Sequence, residues 1–390
     1  MHARDEQRDR PQPDPADGRG GSRARRPSPP PPFPSPPDPA FVPACPPPLR
    51  LGVVGTGYIA NVVGTALRET TRVHRAGVAS RDVARARQFA LTHADPQADE
   101  ARAVGDWREL VAWDGIDAVY LALPTVARTE VAIEAARHGK HLLVEKPFTD
   151  VAAIDAIAEA CRAHGVAFLD ATHFVHHPRH QLLRRTLHER IGELRAVHAC
   201  FTFPSMDRGN IRHDPSLEPT GAWGDMGWYA MRALVECTGD DDTLAHGHAV
   251  ARRDEASGAV VRSDGVLQLA GGVTATWTVA FDIGTCLMDL HLMGSTGRVR
   301  LDDFVLDWGG GFAIPLRDHA AEIVQQNGVV NPSGIQVERV ASGMRQIVRM
   351  LERLAELATD GTAAEREASV RATRRTQQLL DDGWRLHRGR

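Results

Sequence analysis

From Leu49 onward the chain alternates two patterns of apolar and polar positions. Short runs that are apolar throughout are RLGVVG (50–55), HRAGVAS (74–80), AVYLALP (118–124), HLLVEKP (141–147) and VAFLDA (166–171). Between them lie stretches of helical periodicity over 58–68, 82–92, 126–138 and 151–164, the last two stopped by Gly139 and Gly165. Strands apolar on both faces must be covered on both faces. The alternation therefore predicts a parallel sheet with helices on either side.

Past residue 193 the period falls to two. LRAVHACFTF (194–203) reads as one strand, and VLQLAGGVTATWTVAFD (266–282) as two strands joined at Gly271-Gly272. CLMDLHLMGSTGRVRLDDF (286–304) repeats the arrangement, and helices are predicted over 337–361 and 368–386. The fold class is thus α/β. Residues 49–172 form a Rossmann, doubly wound parallel domain. Residues 173–390 form an α/β domain with a large, mostly antiparallel open sheet, its C-terminal helices packing near the junction. Residues 1–48, rich in Pro and Arg with little to bury, are predicted to be a disordered tail.

Composition narrows the partners. With 46 Lys and Arg against 50 Asp and Glu, the net charge of −4 gives no reason to expect nucleic acid or an anionic membrane. No apolar run approaches the roughly 20 residues a membrane span needs. Arg25-Arg26 is followed by prolines that interrupt any export h-region. Five scattered cysteines without a CxxC predict a reduced, cytoplasmic protein.

The first strand ends in Gly55-Thr56-Gly57-Tyr58-Ile59-Ala60, where a dinucleotide fingerprint belongs. Gly55 permits the tight turn, Gly57 admits a pyrophosphate at the helix N-terminus, and Ala60 takes the close-packing position. The second strand ends in Ser80 and Arg81 instead of an acidic residue. Hydroxyl and guanidinium suit a 2′-phosphate, so NADP(H) is favoured over NAD(H); the alternative is that Arg81 is a solvated helix-start residue and Asp82 an N-cap. Leu123, Pro124 and Thr125, with Glu145 and Lys146, complete the expected cofactor-binding set.

Lys146 leaves a central strand toward the crevice where open α/β sheets bind ligands. There an ammonium can hold a substrate oxygen and help move its proton, with Glu145 orienting it. Asp225 and Tyr229, within GAWGDMGWY, are four apart, a spacing that puts carboxylate and phenol on one helical face. A neighbouring lysine could lower the phenol pKa. Alone, either motif also fits a surface ion pair or an N-cap with a packed aromatic. The histidine run HFVHHPRH (173–180) has metal-like spacings, but Pro178 interrupts the helix and no carboxylate completes a site, so no metal is expected.

Together GTGYIA, VASRD, VEKPF, HHPR and GAWGDMGWYAMRALVECTG resemble the glucose–fructose oxidoreductase / inositol dehydrogenase / MocA superfamily over residues 49–388. Within it the chain most resembles the dihydrodiol dehydrogenase and glucose–fructose oxidoreductase branch. The resemblance implies catalytic roles for Lys146, Asp225 and Tyr229, a substrate contact at His177, and a homo-oligomer (dimer or tetramer) through the open sheet. It also implies hydride exchange between NADP(H) and a CH–OH or C=O carbon of a sugar, cyclitol, dihydrodiol or related polyol. The alternatives are a non-catalytic NADP-binding sensor and an enzyme of the same fold with no net redox. One departure is Pro124-Thr125-Val126-Ala127-Arg128, where the family commonly has P-N-x-x-H; Thr125 is expected to cap the helix.

Overall fold

The computed structural model describes residues 47–94, 100–205, 207–239, 241–307, 320–329 and 334–388; the expected tail lies outside them as far as residue 46. The first sheet takes β1 (Leu49–Val54), β2 (Val73–Ala79), β3 (Arg102–Val104), β4 (Ala118–Leu121), β5 (His141–Val144) and β6 (Phe168–Asp170). Its order is β3-β2-β1-β4-β5-β6, with every pairing parallel. That is the doubly wound order whose reversal, between β1 and β4, opens a ligand crevice at the strands' carboxyl ends. Helices α1 (Tyr58–Ala66), α2 (Val83–Thr92), α3 (Trp107–Val111), α4 (Thr125–Arg137) and α5 (Val151–His164) connect the strands.

After β6 a short 3-10 turn, His173–His176, leads into α6 (Pro178–Ile191). Pro178 takes the first helical position, where its missing N–H costs nothing. The second sheet takes β7 (Leu194–Thr202), β8 (Leu244–Arg253), β9 (Val260–Leu269), β10 (Thr274–Ala280), β11 (Leu287–Gly294), β12 (Gly297–Leu301), β13 (Ala321–Asn327) and β14 (Ile335–Val340). Its order is β14-β13-β12-β11-β7-β10-β9-β8, antiparallel except where β10 runs parallel to β7. The Gly271-Gly272 hairpin forms as expected: Gly272 has φ +90° and its N–H bonds back to Leu269 O at 2.9 Å.

A π-helical turn, Trp223–Gly227, runs into α7 (Trp228–Thr238). The last helices are α8 (Gln346–Thr359) and α9 (Ala363–Arg388). The helix expected from residue 337 begins nine residues later, because Val337–Val340 belong to the edge strand β14 and Gly343 turns at φ +64°. Ile347, Val348, Leu351 and Leu354 of α8 share a core with Leu51, Val53, Ala60 and Val63 of the first sheet's opening unit. Helix α8 thus completes a layer on that opening unit, and α9 packs against α5, β6, α7 and β8.

Candidate active site

The crevice between β1 and β4 is shaped by close backbone approach. Gly55 has φ +99°, and a Cβ there would lie 2.3 Å from the Ala122 carbonyl oxygen, so no other residue fits. At Gly57 a Cβ would meet nothing within 4 Å, and this residue is the N-cap of α1, whose first turn carries neither an acidic residue nor a side-chain cap. Open space over the N–H groups of a helix start is the donor set a pyrophosphate requires. Thr56, Tyr58 and Ile59 line the same turn, with Tyr58 63% exposed. The residues present therefore fit a dinucleotide.

Beside it, Ser80 and Arg81 follow β2. The Asp82 carboxylate is engaged as N-cap of α2, accepting from Ala84 N at 2.8 Å. Arg81 is exposed and makes no ion pair among the described residues. Leu123 and Pro124 are half-buried at the exit of β4. Thr125 differs from expectation. It opens α4, but its N–H and Oγ1 both donate to Glu218, at 3.0 and 2.6 Å. The carboxylate of Glu218 occupies the helix N-terminus that the threonine was expected to cap.

Lys146 leaves β5 beside a cis Lys146–Pro147 peptide and is 8% exposed. Its Nζ donates to Asp225 Oδ1 at 2.8 Å and to the Asp225 carbonyl at 2.9 Å. The same ammonium stands over the Tyr229 ring, 4.5 Å from the centroid. Gly224 lets the π-turn approach β5's exit, since a Cβ there would meet Thr220 Oγ1 at 2.0 Å and Pro147 Cγ at 3.1 Å. The four-residue spacing thus brings Asp225 and Tyr229 to one lysine.

Asp225 also accepts from Arg212 Nε at 2.6 Å. Burial would raise this carboxyl, but Arg212 and Lys146 overcome it and hold it well below the usual carboxylate range. Burial likewise pulls Lys146 down, but Asp225, Tyr229 and Glu145 together outweigh it, so the side chain stays an ammonium. Tyr229 answers differently from the expectation that lysine lowers it. Burial pushes its phenol up to about 12 against the opposing pull of Lys146, and the group stays protonated.

Glu145 accepts from Tyr120 Oη at 2.7 Å, and burial raises its carboxyl. Asp225, not Glu145, holds Lys146 by hydrogen bonds. His177 is fully buried as N-cap of α6, its Nδ1 accepting from Arg179 N at 3.0 Å, and burial pulls it down to about 3. The histidine of that run that reaches Tyr229 is His173, whose Nε2 lies 3.3 Å from the phenol oxygen. Arg128 is buried, donating to Leu123 O at 2.7 Å, Thr125 Oγ1 at 3.1 Å and the Pro147 carbonyl. It ties the exits of β4 and β5 together where the family commonly has histidine. Arg212 and His173 were missed as site residues. Arg212 sits in a single 3-10 turn, Ile211–His213, too short to carry a periodic signal, and His173 was weighed only as a metal ligand.

A buried ammonium, a carboxylate and a neutral phenol beside a dinucleotide crevice can hold a carbonyl oxygen and give it a proton. Fold and site define a dinucleotide-dependent oxidoreductase. Residues 49–171 match a model described as oxidoreductase family, NAD-binding Rossmann fold, and residues 180–300 match the GFO/IDH/MocA C-terminal domain. A dTDP-3,4-didehydro-2,6-dideoxy-α-D-glucose 3-reductase of Streptomyces antibioticus is 36% identical over 261 residues, 66% of this chain and 76% of the relative. The NADP(+) scyllo-inositol 2-dehydrogenase of Bacillus subtilis is 29% identical over 55% of this chain and 66% of its own. Among solved structures, a 3-ketoreductase from Actinomadura kijaniata, in complex with NADP and TDP-benzene, superposes with TM-score 0.74 at 26% identity. It covers 86% of this chain and 96% of its own. The chain belongs to the Gfo/Idh/MocA oxidoreductase family.

Proposed function

We propose that this chain is an NADP(H)-dependent oxidoreductase acting on a keto or hydroxyl carbon of a sugar, cyclitol or related polyol. The observation that carries the reading is the shared contact of Lys146 with Asp225 and Tyr229, at 2.8 Å and 4.5 Å, at the carboxyl end of β5. When bound, the nicotinamide supplies or takes up the hydride. Asp225 holds Lys146 charged and in place, and Lys146 draws electron density onto the substrate oxygen. Tyr229 carries the proton that this oxygen receives in reduction and returns in oxidation. Enclosure of the cluster keeps water from competing for these contacts.

Ser80 and Arg81, which makes no ion pair among the described residues, support NADP(H), since a hydroxyl and a guanidinium suit a 2′-phosphate. The two relatives and the solved ketoreductase support a sugar or cyclitol substrate. The same reading includes a homo-oligomer through the open face of the second sheet, where Val250, Val266 and Leu287 are exposed.

The test is a panel of nucleotide-linked ketosugars, free aldoses and cyclitols, followed by nicotinamide absorbance with each cofactor. Turnover with NADPH, lost in Lys146→Ala while NADPH still quenches protein fluorescence, is the expected result. Full turnover in Lys146→Ala removes the lysine from the reaction. Tighter binding of NADH than of NADPH removes the Arg81 argument.

A further inference from the structure

We propose that His173 is a positioning residue for Tyr229. Held as the Nε2–H tautomer by Gln346, it donates to the phenol oxygen and leaves the phenol's own proton free for the substrate. The inference rests on the role given to Tyr229 above, but its geometry stands independently.

Three chain segments meet here: the turn after β6, the start of α7 and the first residue of α8. Gln346 is 3% exposed, and its backbone N–H is anchored on Asp307 Oδ2 at 2.8 Å. Its side-chain Nε2 lies 2.7 Å from the Val305 carbonyl oxygen and 2.8 Å from His173 Nδ1. A backbone carbonyl only accepts, so the atom facing it must be the amide NH₂. Flipping the amide would set two oxygens 2.7 Å apart, with no proton between them. The nitrogen of Gln346 therefore donates to Nδ1 as well, and Nδ1 must be the unprotonated nitrogen of the ring.

His173 is 2% exposed, and burial, reinforced by Lys146 and His176, pulls its pKa down to about 3. The ring is neutral and carries one proton, which the Gln346 contact assigns to Nε2. That nitrogen lies 3.3 Å from Tyr229 Oη, so the imidazole donates and the phenol oxygen accepts. A phenol that accepts from one side turns its own O–H away from the donor. With the opposite tautomer, Nε2 would be a competing acceptor for the same proton that substrate needs.

In the reductive direction the Tyr229 O–H bond breaks and an O–H bond forms on the substrate oxygen, while the carbon receives the hydride. The phenolate left behind faces the Nε2–H on one side and the Lys146 ammonium over its ring. It is reprotonated from solvent before the next turnover. Because the phenol is neutral before the step and charged after it, the His173 bond strengthens as the reaction proceeds. It therefore lowers the barrier more than it aids binding.

The decisive experiment is nitrogen NMR on ¹⁵N-histidine-labelled protein without cofactor. The His173 signal among the 18 histidines is assigned by its loss in His173→Gln. A protonated Nε2 and bare Nδ1 are expected, and Gln346→Glu, which offers Nδ1 only an acceptor, should invert the assignment. A protonated Nδ1 in the wild type, or an equal mixture, overturns the proposal, as does an unchanged tautomer in Gln346→Glu. In turnover with NADPH and the best sugar of the panel, His173→Leu should lower kcat about 10- to 100-fold with KM nearly unchanged. His173→Gln, whose amide can donate toward Tyr229, should recover most of it. Unchanged kcat in His173→Leu, or a His173→Gln as slow as His173→Leu, sinks the proposal. If no sugar turns over, the functional reading fails and the NMR result still decides this one.

Discussion

Replacing Asp225 by asparagine removes one charge and almost no volume, which makes it a sharp test of the site's electrostatics. The carboxylate accepts from Lys146 at 2.8 Å and from Arg212 at 2.6 Å. An amide has a single acceptor oxygen, so one of the two cationic donors must face an NH₂ group. Breaking a buried ion pair from one side costs about 3–5 kcal/mol, because the abandoned charge stays desolvated. Lys146 is 8% and Asp225 23% exposed on their side chains, which argues for the lower end, about 3 kcal/mol. For a chain of this size that corresponds to a melting point lower by roughly 5 °C. The folded carboxyl is held well below its unfolded value of 3.8. Its contribution is therefore complete above that value and lost as pH falls through it toward the depressed folded value. Thermal melts of both proteins at pH 7 should differ by the full amount, and the gap should narrow below pH 4. The variant should also lose activity at lower alkaline pH, since Asp225 is the largest influence holding Lys146 protonated. Coincident melts at neutral pH would refute the reasoning.

Two further outcomes follow from buried groups outside the reacting cluster. Arg128→Ala leaves the carbonyls of Leu123 and Pro147 without their guanidinium donor, and should cost about 3 kcal/mol in urea unfolding while weakening NADPH binding. An unchanged midpoint would show that the arginine is dispensable. His173 and His177 are each held neutral by burial, at about 3 against an ordinary 6.5. Below pH 6.5 the unfolded chain binds protons that the folded chain refuses, so stability is full above that pH and falls beneath it. Each imidazole contributes about 1.4 kcal/mol per pH unit. A urea midpoint that stays level between pH 7 and pH 5 would contradict this.

The first sheet was legible because its strands are buried on both faces and its helices end in glycines such as Gly139 and Gly165. The Gly271-Gly272 hairpin was legible for the same local reason. What escaped was structure whose pattern is blurred by exposure. The residues of β8 are mostly solvent-facing, and β14, with Glu338 and Arg339, has the charge density of a helix surface. An edge strand packed on one side carries little periodic signal, and the charges were read as part of the helix that follows.

The site shows the same division between local pattern and long-range contact. The four-residue spacing put Asp225 and Tyr229 on one helical face, and the family resemblance joined Lys146 to them. The direction of the phenol's pKa could not be read that way. A lysine beside a tyrosine lowers its pKa, and Lys146 does pull in that direction, but enclosure of Tyr229 at 6% exposure is the larger effect. Arg212 then matters more than a distant loop residue would suggest. With it, two cations share one carboxylate beside a neutral phenol. Such an arrangement favours negative charge that develops on the substrate oxygen or on Tyr229 over charge already present in the resting protein. The phenol can therefore keep its proton until the moment of transfer, and a high resting pKa is compatible with its release to the substrate oxygen.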